Sequence, residues 1–188
     1  MTNKPENRRV RMTKRLLKDA LLELLEQKDL AAITVTAVCE TADVHRSTFY
    51  KYYEDTAALL RDLEQDYLDQ IPTPPHVLNQ MHQEQLLSET TAFFDYVKRN
   101  ERAYRVFFGE STSSNFTARL IDLLCSQHAE NSTEDCMASY YRHLYIANGT
   151  VGVLRDWVKA GFPVSSRTIA EMMYFFSVNV TQQNQPFS

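Results

Sequence analysis

The stretch Thr34-Val35-Thr36-Ala37-Val38-Cys39-Glu40-Thr41-Ala42-Asp43-Val44-His45-Arg46-Ser47-Thr48-Phe49-Tyr50-Lys51-Tyr52-Tyr53 decides the fold, because it divides into two short helices around a tight turn. Val35, Val38, Cys39 and Ala42 recur at i, i+3, i+4 and i+7, one apolar stripe on a helix that Thr34 can open by capping free backbone amides. Asp43 stands where the chain must turn. A short polar side chain tolerates left-handed backbone angles better than most residues, though less freely than glycine. Val44, Phe49 and Tyr53 are expected to face inward from a second helix of about two turns, leaving His45, Arg46, Ser47, Thr48 and Lys51 outside.

Those outward groups are hydrogen-bond donors and cations, the chemistry that a helix presented to the major groove requires. Base edges offer acceptors to arginine, and phosphates accept from hydroxyls, lysine and free backbone amides. Arg46 is therefore the candidate for base readout. Tyr50, Lys51 and Tyr52, at the far end of the helix, reach the phosphate backbone more easily than the base floor. Thr34 and Thr36 can add phosphate contacts from the other side of the groove, and His45, Ser47 and Thr48 complete the candidate set. The same pattern also fits a solvated amphipathic hairpin that binds no nucleic acid.

The chain has 188 residues, 44% of them hydrophobic, enough for a sizeable core in one large domain or two small ones. Its formal net charge of −4 is unequally distributed: residues 1–53 carry ten Lys/Arg against seven Asp/Glu, a balance of +3, which leaves −7 for residues 54–188. Positive charge thus accompanies the motif. Lys4, Arg8, Arg9, Arg11, Lys14, Arg15 and Lys18 cluster at the start as an arm that can track phosphates, or simply as a solvated leader. Leu16, Leu17, Ala20, Leu21, Leu24 and Leu25 supply the apolar face of a first helix that braces the motif. That helix is too charged for a membrane span or secretory signal.

Cys39, Cys125 and Cys136 are an odd number at spacings that suggest no disulfide framework, which favours a reducing cytoplasm. Cys125, His128, Cys136 and His143 match no standard zinc-ligand spacing, and no metal or cofactor is expected. No glycine-rich phosphate cradle appears. His76, His82, His128 and His143 have no nucleophile or carboxylate spaced around them, so catalysis is not expected.

After a helix from about Asp55 to Gln70, Ile71-Pro72-Thr73-Pro74-Pro75-His76 breaks the chain with three prolines in four positions. Helices are expected near 77–98, 101–108, 115–129, 133–160 and 166–181. Breaks fall at Asn100, Gly109 to Ser114, Asn131-Ser132 and Gly161-Phe162-Pro163, with Ser132 and Asp135 as a capping box and Ser165 as the last cap. The fold class is all-α. Aromatic residues crowd this half, among them Phe93, Phe94, Tyr96, Tyr104, Phe107, Phe108, Tyr140, Tyr141, Tyr145, Trp157, Tyr174, Phe175 and Phe176. They fill a core or, in part, line a ligand cavity. Gly149 and Gly152, about one helical turn apart, permit a close helix approach or a kink. Ile169, Met172, Met173, Phe176 and Val180 give the last helix more apolar surface than a lone terminal helix usually exposes, and association is its natural outlet.

From about Arg9 to Leu60 the chain resembles the N-terminal domain of the TetR family of bacterial transcriptional regulators. The resemblance rests on Ile33-Thr34-Val35, on Ala42 through Tyr53 and on Leu59-Leu60, with Ser47-Thr48-Phe49-Tyr50 and the following aromatic pair its most specific part. Tyr104-Arg105-Val106-Phe107-Phe108-Gly109 and the run from Gly149 to Pro163 resemble the Firmicutes-type C-terminal domain of one branch of these regulators. Three positions depart from the family pattern: Asp43 stands for a usual Gly, His45 for a frequent Ser, and Thr56 for a common Lys.

The resemblance implies a helix-turn-helix domain over residues 1–54 and a helical domain over 55–188 whose final two helices pair with their copies in a second subunit. A homodimer places two recognition helices on one face of a palindromic duplex, about one turn or a multiple apart. The expected function is that of a cytoplasmic, sequence-specific DNA-binding repressor, released by a small-molecule or protein signal sensed in the C-terminal domain. The alternative is a regulator, activators included, whose C-terminal domain answers to a protein partner and holds no small molecule.

Overall fold

The computed structural model describes residues 8–72, 83–109, 115–126 and 136–182, and every regular element among them is helical. The helices are α1 (Arg8–Leu25), α2 (Val35–Ala42), α3 (Arg46–Phe49), α4 (Thr56–Asp69), α5 (Gln83–Arg99), α6 (Glu101–Phe107), α7 (Phe116–Ser126), α8 (Cys136–Lys159) and α9 (Ser166–Gln182), with a short 3₁₀ turn at Leu30–Ala32. Helices α1 to α4 form one compact unit and α5 to α9 another. Lys4 of the expected arm, the prolines at 74 and 75, the Ser132–Asp135 capping pair, His76, His82 and His128 lie outside the described residues.

In the first unit α1 packs against α2 and α4, and α2 against α3. Leu17 and Leu21 of α1, Val38 of α2, Phe49 of α3 and Leu59 of α4 are wholly buried, with Ile33, Cys39, Ala42, Tyr53, Leu60 and Leu63 around them. The apolar stripe of α2 faces this core as its spacing predicts, Val35 being half-buried at its edge. Helix α4 belongs to this core through Leu59, Leu60 and Leu63, so the compact unit extends well past the 54/55 division drawn from the motif. Asp55 caps α4, its Oδ1 accepting the Ala58 N–H at 2.6 Å.

The face of α1 differs from its expected composition. Leu16 is exposed, whereas Lys18 is only 7% exposed. Lysine is seldom buried without a partner. Lys18 has two: its Nζ lies 2.9 Å from Asp62 Oδ2 and 2.6 Å from Asp66 Oδ2, one helical turn apart on α4. It is thereby withdrawn from the basic arm.

In the second unit α5 packs on α9 and α6, α7 on α8, and α8 on α6 and α9. The core is aromatic. Tyr104 and Phe116 are wholly buried with Phe107 and Phe108 beside them, and the Phe107 and Phe116 rings stand 4.6 Å apart. Trp157 meets Phe94 edge-on at 5.4 Å and Phe162 at 4.7 Å, and its indole N–H donates to the Val164 carbonyl at 3.1 Å. Helix α8 ends in a Schellman turn: Phe162 N–H reaches the Trp157 carbonyl, Gly161 N–H reaches that of Val158, and Gly161 takes φ +75°. Ser165 then caps α9, its Oγ accepting the Thr168 N–H at 3.0 Å.

Five other aromatics, on α8 and α9, stay outside. Tyr140, Tyr141 and Tyr145 of α8 and Phe175 and Phe176 of α9 are all more than half exposed. On α9, Ile169, Ala170 and Met173 turn to the core, while Met172 joins Phe175 and Phe176 outside. A cavity of about 420 Å³ lies between the two helices, lined by Tyr145, Gly149, Val153, Met173 and Phe176 among others.

Candidate nucleic-acid interface

The local chemistry of residues 34–53 fixes a rigid corner. Thr34 has extended backbone angles and its Oγ1 accepts the Ala37 N–H at 3.1 Å, opening α2 as its sequence predicts. At the other end Asp43 takes φ 51°, ψ 47°, the left-handed conformation. Asp43 N–H reaches the Glu40 carbonyl and Val44 N–H that of Cys39, so this helix too closes with a Schellman pattern. Aspartate thus adopts the geometry for which glycine is better suited, and the turn keeps its shape.

Helix α3 is shorter than the expected two turns. Only Arg46–Phe49 is α-helical, and the chain then tightens: Lys51 N–H bonds the Thr48 carbonyl and Tyr52 N–H that of Phe49, three residues back. Phe49 is wholly buried and Tyr53 nearly so, with ring centroids 5.8 Å apart, and the Tyr53 N–H reaches the Phe49 carbonyl at 3.0 Å, so the segment past the α-helix stays wound against the core.

Around this corner His45, Arg46, Ser47, Tyr50 and Lys51 are exposed, while Thr48 and Tyr52 are half-buried. Tyr50 is 53% exposed and rests edge-on against Phe49 at 5.6 Å, which orients its phenol outward. Arg46 and Lys51 enter no ion pair among the described residues, so both cations are available. Thr34 is exposed and Thr36 half-buried on the first turn of α2. The structure therefore gathers residues 45–51 into one polar, cationic edge and places the two threonines on the preceding helix. Cys39 lies beneath this edge. Burial pushes its thiol up, against the opposing pull of the Arg46 guanidinium, so it stays a neutral core thiol.

A second set of polar residues holds the corner from behind, and the motif alone does not reveal it. Tyr53 Oη donates to Asp62 Oδ2 at 2.6 Å, and the same oxygen takes the Lys18 ammonium. Burial alone would raise the Asp62 pKa, but the Tyr53 hydroxyl and the Lys18 ammonium, with Lys14 adding, outweigh it and hold the carboxyl below its ordinary value. The available signal was the i, i+4 spacing of Asp62 and Asp66 on a helix that also carries buried leucines.

Two family models match the chain. One, described as bacterial regulatory proteins of the tetR family, covers residues 17–63; the other, a transcriptional regulator C-terminal region, covers residues 84–178. The chain belongs to the TetR family of transcriptional regulators. An uncharacterized HTH-type transcriptional regulator of Bacillus subtilis, YxbF, is 40% identical over 50 residues, which are 27% of this chain and 13% of that protein's length. NalD of Pseudomonas aeruginosa, the secondary repressor of the MexAB-OprM multidrug efflux pump, shares the fold with a TM-score of 0.68 at 13% identity, over 91% of this chain and 97% of its own. The dihydroxyacetone kinase operon activator DhaS does so with a TM-score of 0.62 at 16% identity, over 89% of this chain and 94% of its own. TetR-family regulators bind DNA, typically as dimers, and are generally not enzymes.

Two features bear on other chemistry. Among the described residues no three His, Cys, Asp or Glu side chains gather as a metal site. No described helix is long and apolar enough to cross a membrane.

Proposed function

We propose that this regulator is a dimeric repressor that reads a palindromic operator through the edge formed by His45, Arg46, Ser47, Thr48, Tyr50, Lys51 and Tyr52. The observation that carries the reading is the exposed Arg46 at the start of α3, in no ion pair among the described residues, on a corner pinned by buried Phe49 and Tyr53. Arg46 is the base reader, because a planar fork of donors matches the acceptors on guanine. Lys51, Tyr50 and Tyr52 hold phosphates, with Thr34 and Thr36 contributing from α2. In this division of labour the unit of α1 to α4 reads DNA in the cytoplasm and the unit of α5 to α9 dimerises and receives the signal.

The second subunit is assigned to the outer face of α8 and α9. Support comes from Tyr141, Tyr145, Phe175 and Phe176, a concentration of exposed aromatic surface unusual on a lone protomer. The cavity beside Gly149 opens among the same residues, so a partner helix would cover it. An effector, small molecule or protein, then acts by favouring the dimer state in which the two reading edges are wrongly separated. Repression is the sign we assign; DhaS, with a similar fold, is named as an activator.

The test is selection of bound duplexes from a random-sequence library by the purified protein at physiological salt. Enrichment of an inverted repeat supports a dimeric reader. Enrichment of an unrepeated site would exclude the palindromic arrangement, and no enrichment would remove DNA reading by the isolated protein.

A further inference from the structure

We propose that Asp62 is a positioning residue for DNA reading, holding the last residue of the reading segment and the first helix on a single carboxylate oxygen. The inference rests on the reading function proposed above. Asp62 Oδ2 receives the Tyr53 hydroxyl at 2.6 Å and the Lys18 ammonium at 2.9 Å, and Lys18 also reaches Asp66 Oδ2 at 2.6 Å. One turn of α4 thereby grips both α1 and the end of the segment that carries Arg46 and Lys51.

The Lys18 side chain is buried, while those of Asp62 and Asp66 stay 37% and 49% exposed. Burying an ammonium carries a desolvation penalty, and replacing a buried ion pair with hydrocarbon is often neutral or stabilising. What the polar set adds is direction. Charge-assisted hydrogen bonds demand a definite distance and angle, whereas apolar contacts tolerate sliding. The reading segment needs that constraint because its own helix is a single turn, continued only by short-range turn bonds through Lys51 and Tyr52. Its orientation therefore depends on what holds Phe49 and Tyr53. Phe49 is held by packing alone, and Tyr53 is held by packing and by Asp62. Bidentate base contacts are lost by small misplacements, while phosphate contacts from flexible side chains survive them.

Two full-length variants test this. Tyr53→Phe removes one oxygen and leaves the ring, and Asp62→Asn keeps an acceptor while removing the charge. Each is titrated against the duplex that the wild type enriches from a random library and against a scrambled duplex of the same length, with urea unfolding alongside. The expected result is a loss of about tenfold on the enriched duplex for Tyr53→Phe, a smaller loss for Asp62→Asn, and little change on the scrambled duplex. Wild-type discrimination between the two duplexes in Tyr53→Phe, at whatever stability, would overturn the proposal and leave the cluster a purely structural contact. If Asp62→Asn does not fold, Tyr53→Phe decides alone. A wild type that enriches no duplex would overturn both the reading function and this inference, an outcome distinct from variant and wild type discriminating alike.

Discussion

The Val44 amide donates to the Cys39 carbonyl at 2.9 Å, closing the end of α2 over Asp43, whose φ of 51° is one that L-residues with a Cβ seldom adopt. Aspartate accepts this angle at a cost that glycine avoids. Asp43→Gly should therefore leave the corner intact and raise stability slightly, by up to about 1 kcal/mol, because relief of the strained angle outweighs the extra freedom gained by the unfolded chain. Asp43→Val should lose at least as much as the glycine gains. Urea unfolding of the three proteins checks the order; a valine variant as stable as wild type would contradict the strained turn.

The Asp62 carboxyl gives a pH dependence of known sign. Its pKa in the folded protein lies below the ordinary value, so its contribution to stability is present above the ordinary carboxylate range, near 4, and is lost as pH falls through the folded value. The stability advantage of wild type over Asp62→Asn should be largest at neutral pH and shrink below about pH 4. Urea midpoints measured across that range test it. An advantage that stays constant with pH would show that Asp62 gains nothing from Lys18 and Tyr53 by being ionised.

Much of this architecture is legible in the residues because it is local. The Thr34 cap, the apolar stripe of α2, the Ser165 cap and the Gly161 turn each depend on neighbours within a few positions, and each stands where the spacing puts it. The cationic edge from His45 to Lys51 follows from the same local periodicity. Lys18 was not legible. Its partner Asp66 lies 48 residues along the chain, and nothing around Lys18 distinguishes a buried lysine from the exposed arginines that precede it. The length of α3 is not legible either: the inward spacing of Phe49 and Tyr53 fits two α-helical turns and the observed single turn followed by three-residue bonds alike. Composition likewise could not divide the aromatics. Tyr104 and Tyr145 look alike in sequence, yet one is wholly buried and the other is 68% exposed.

The exposed aromatics lead to a prediction about assembly. Phe176→Glu places a charge on the outer face of α9, at a side chain already 53% exposed, so the protomer itself should fold. If α8 and α9 form the dimer face, burying that carboxylate there is unfavourable by several kcal/mol per copy. Sedimentation at micromolar concentration should show a shift from dimer to monomer with unchanged helix content. An unchanged dimer would move the interface elsewhere.

If Arg46 reads bases while Lys51 holds the backbone, the two roles separate in the ratio of affinities for the enriched and scrambled duplexes, measured for wild type, Arg46→Ala and Lys51→Ala over a range of salt. Arg46→Ala should lose about 1–3 kcal/mol on the enriched duplex and little on the scrambled one, so the ratio falls. Lys51→Ala should weaken both duplexes together, keep the ratio and flatten the salt dependence. Equal losses in both variants, on both duplexes and at every salt concentration, would contradict the division between reader and anchor.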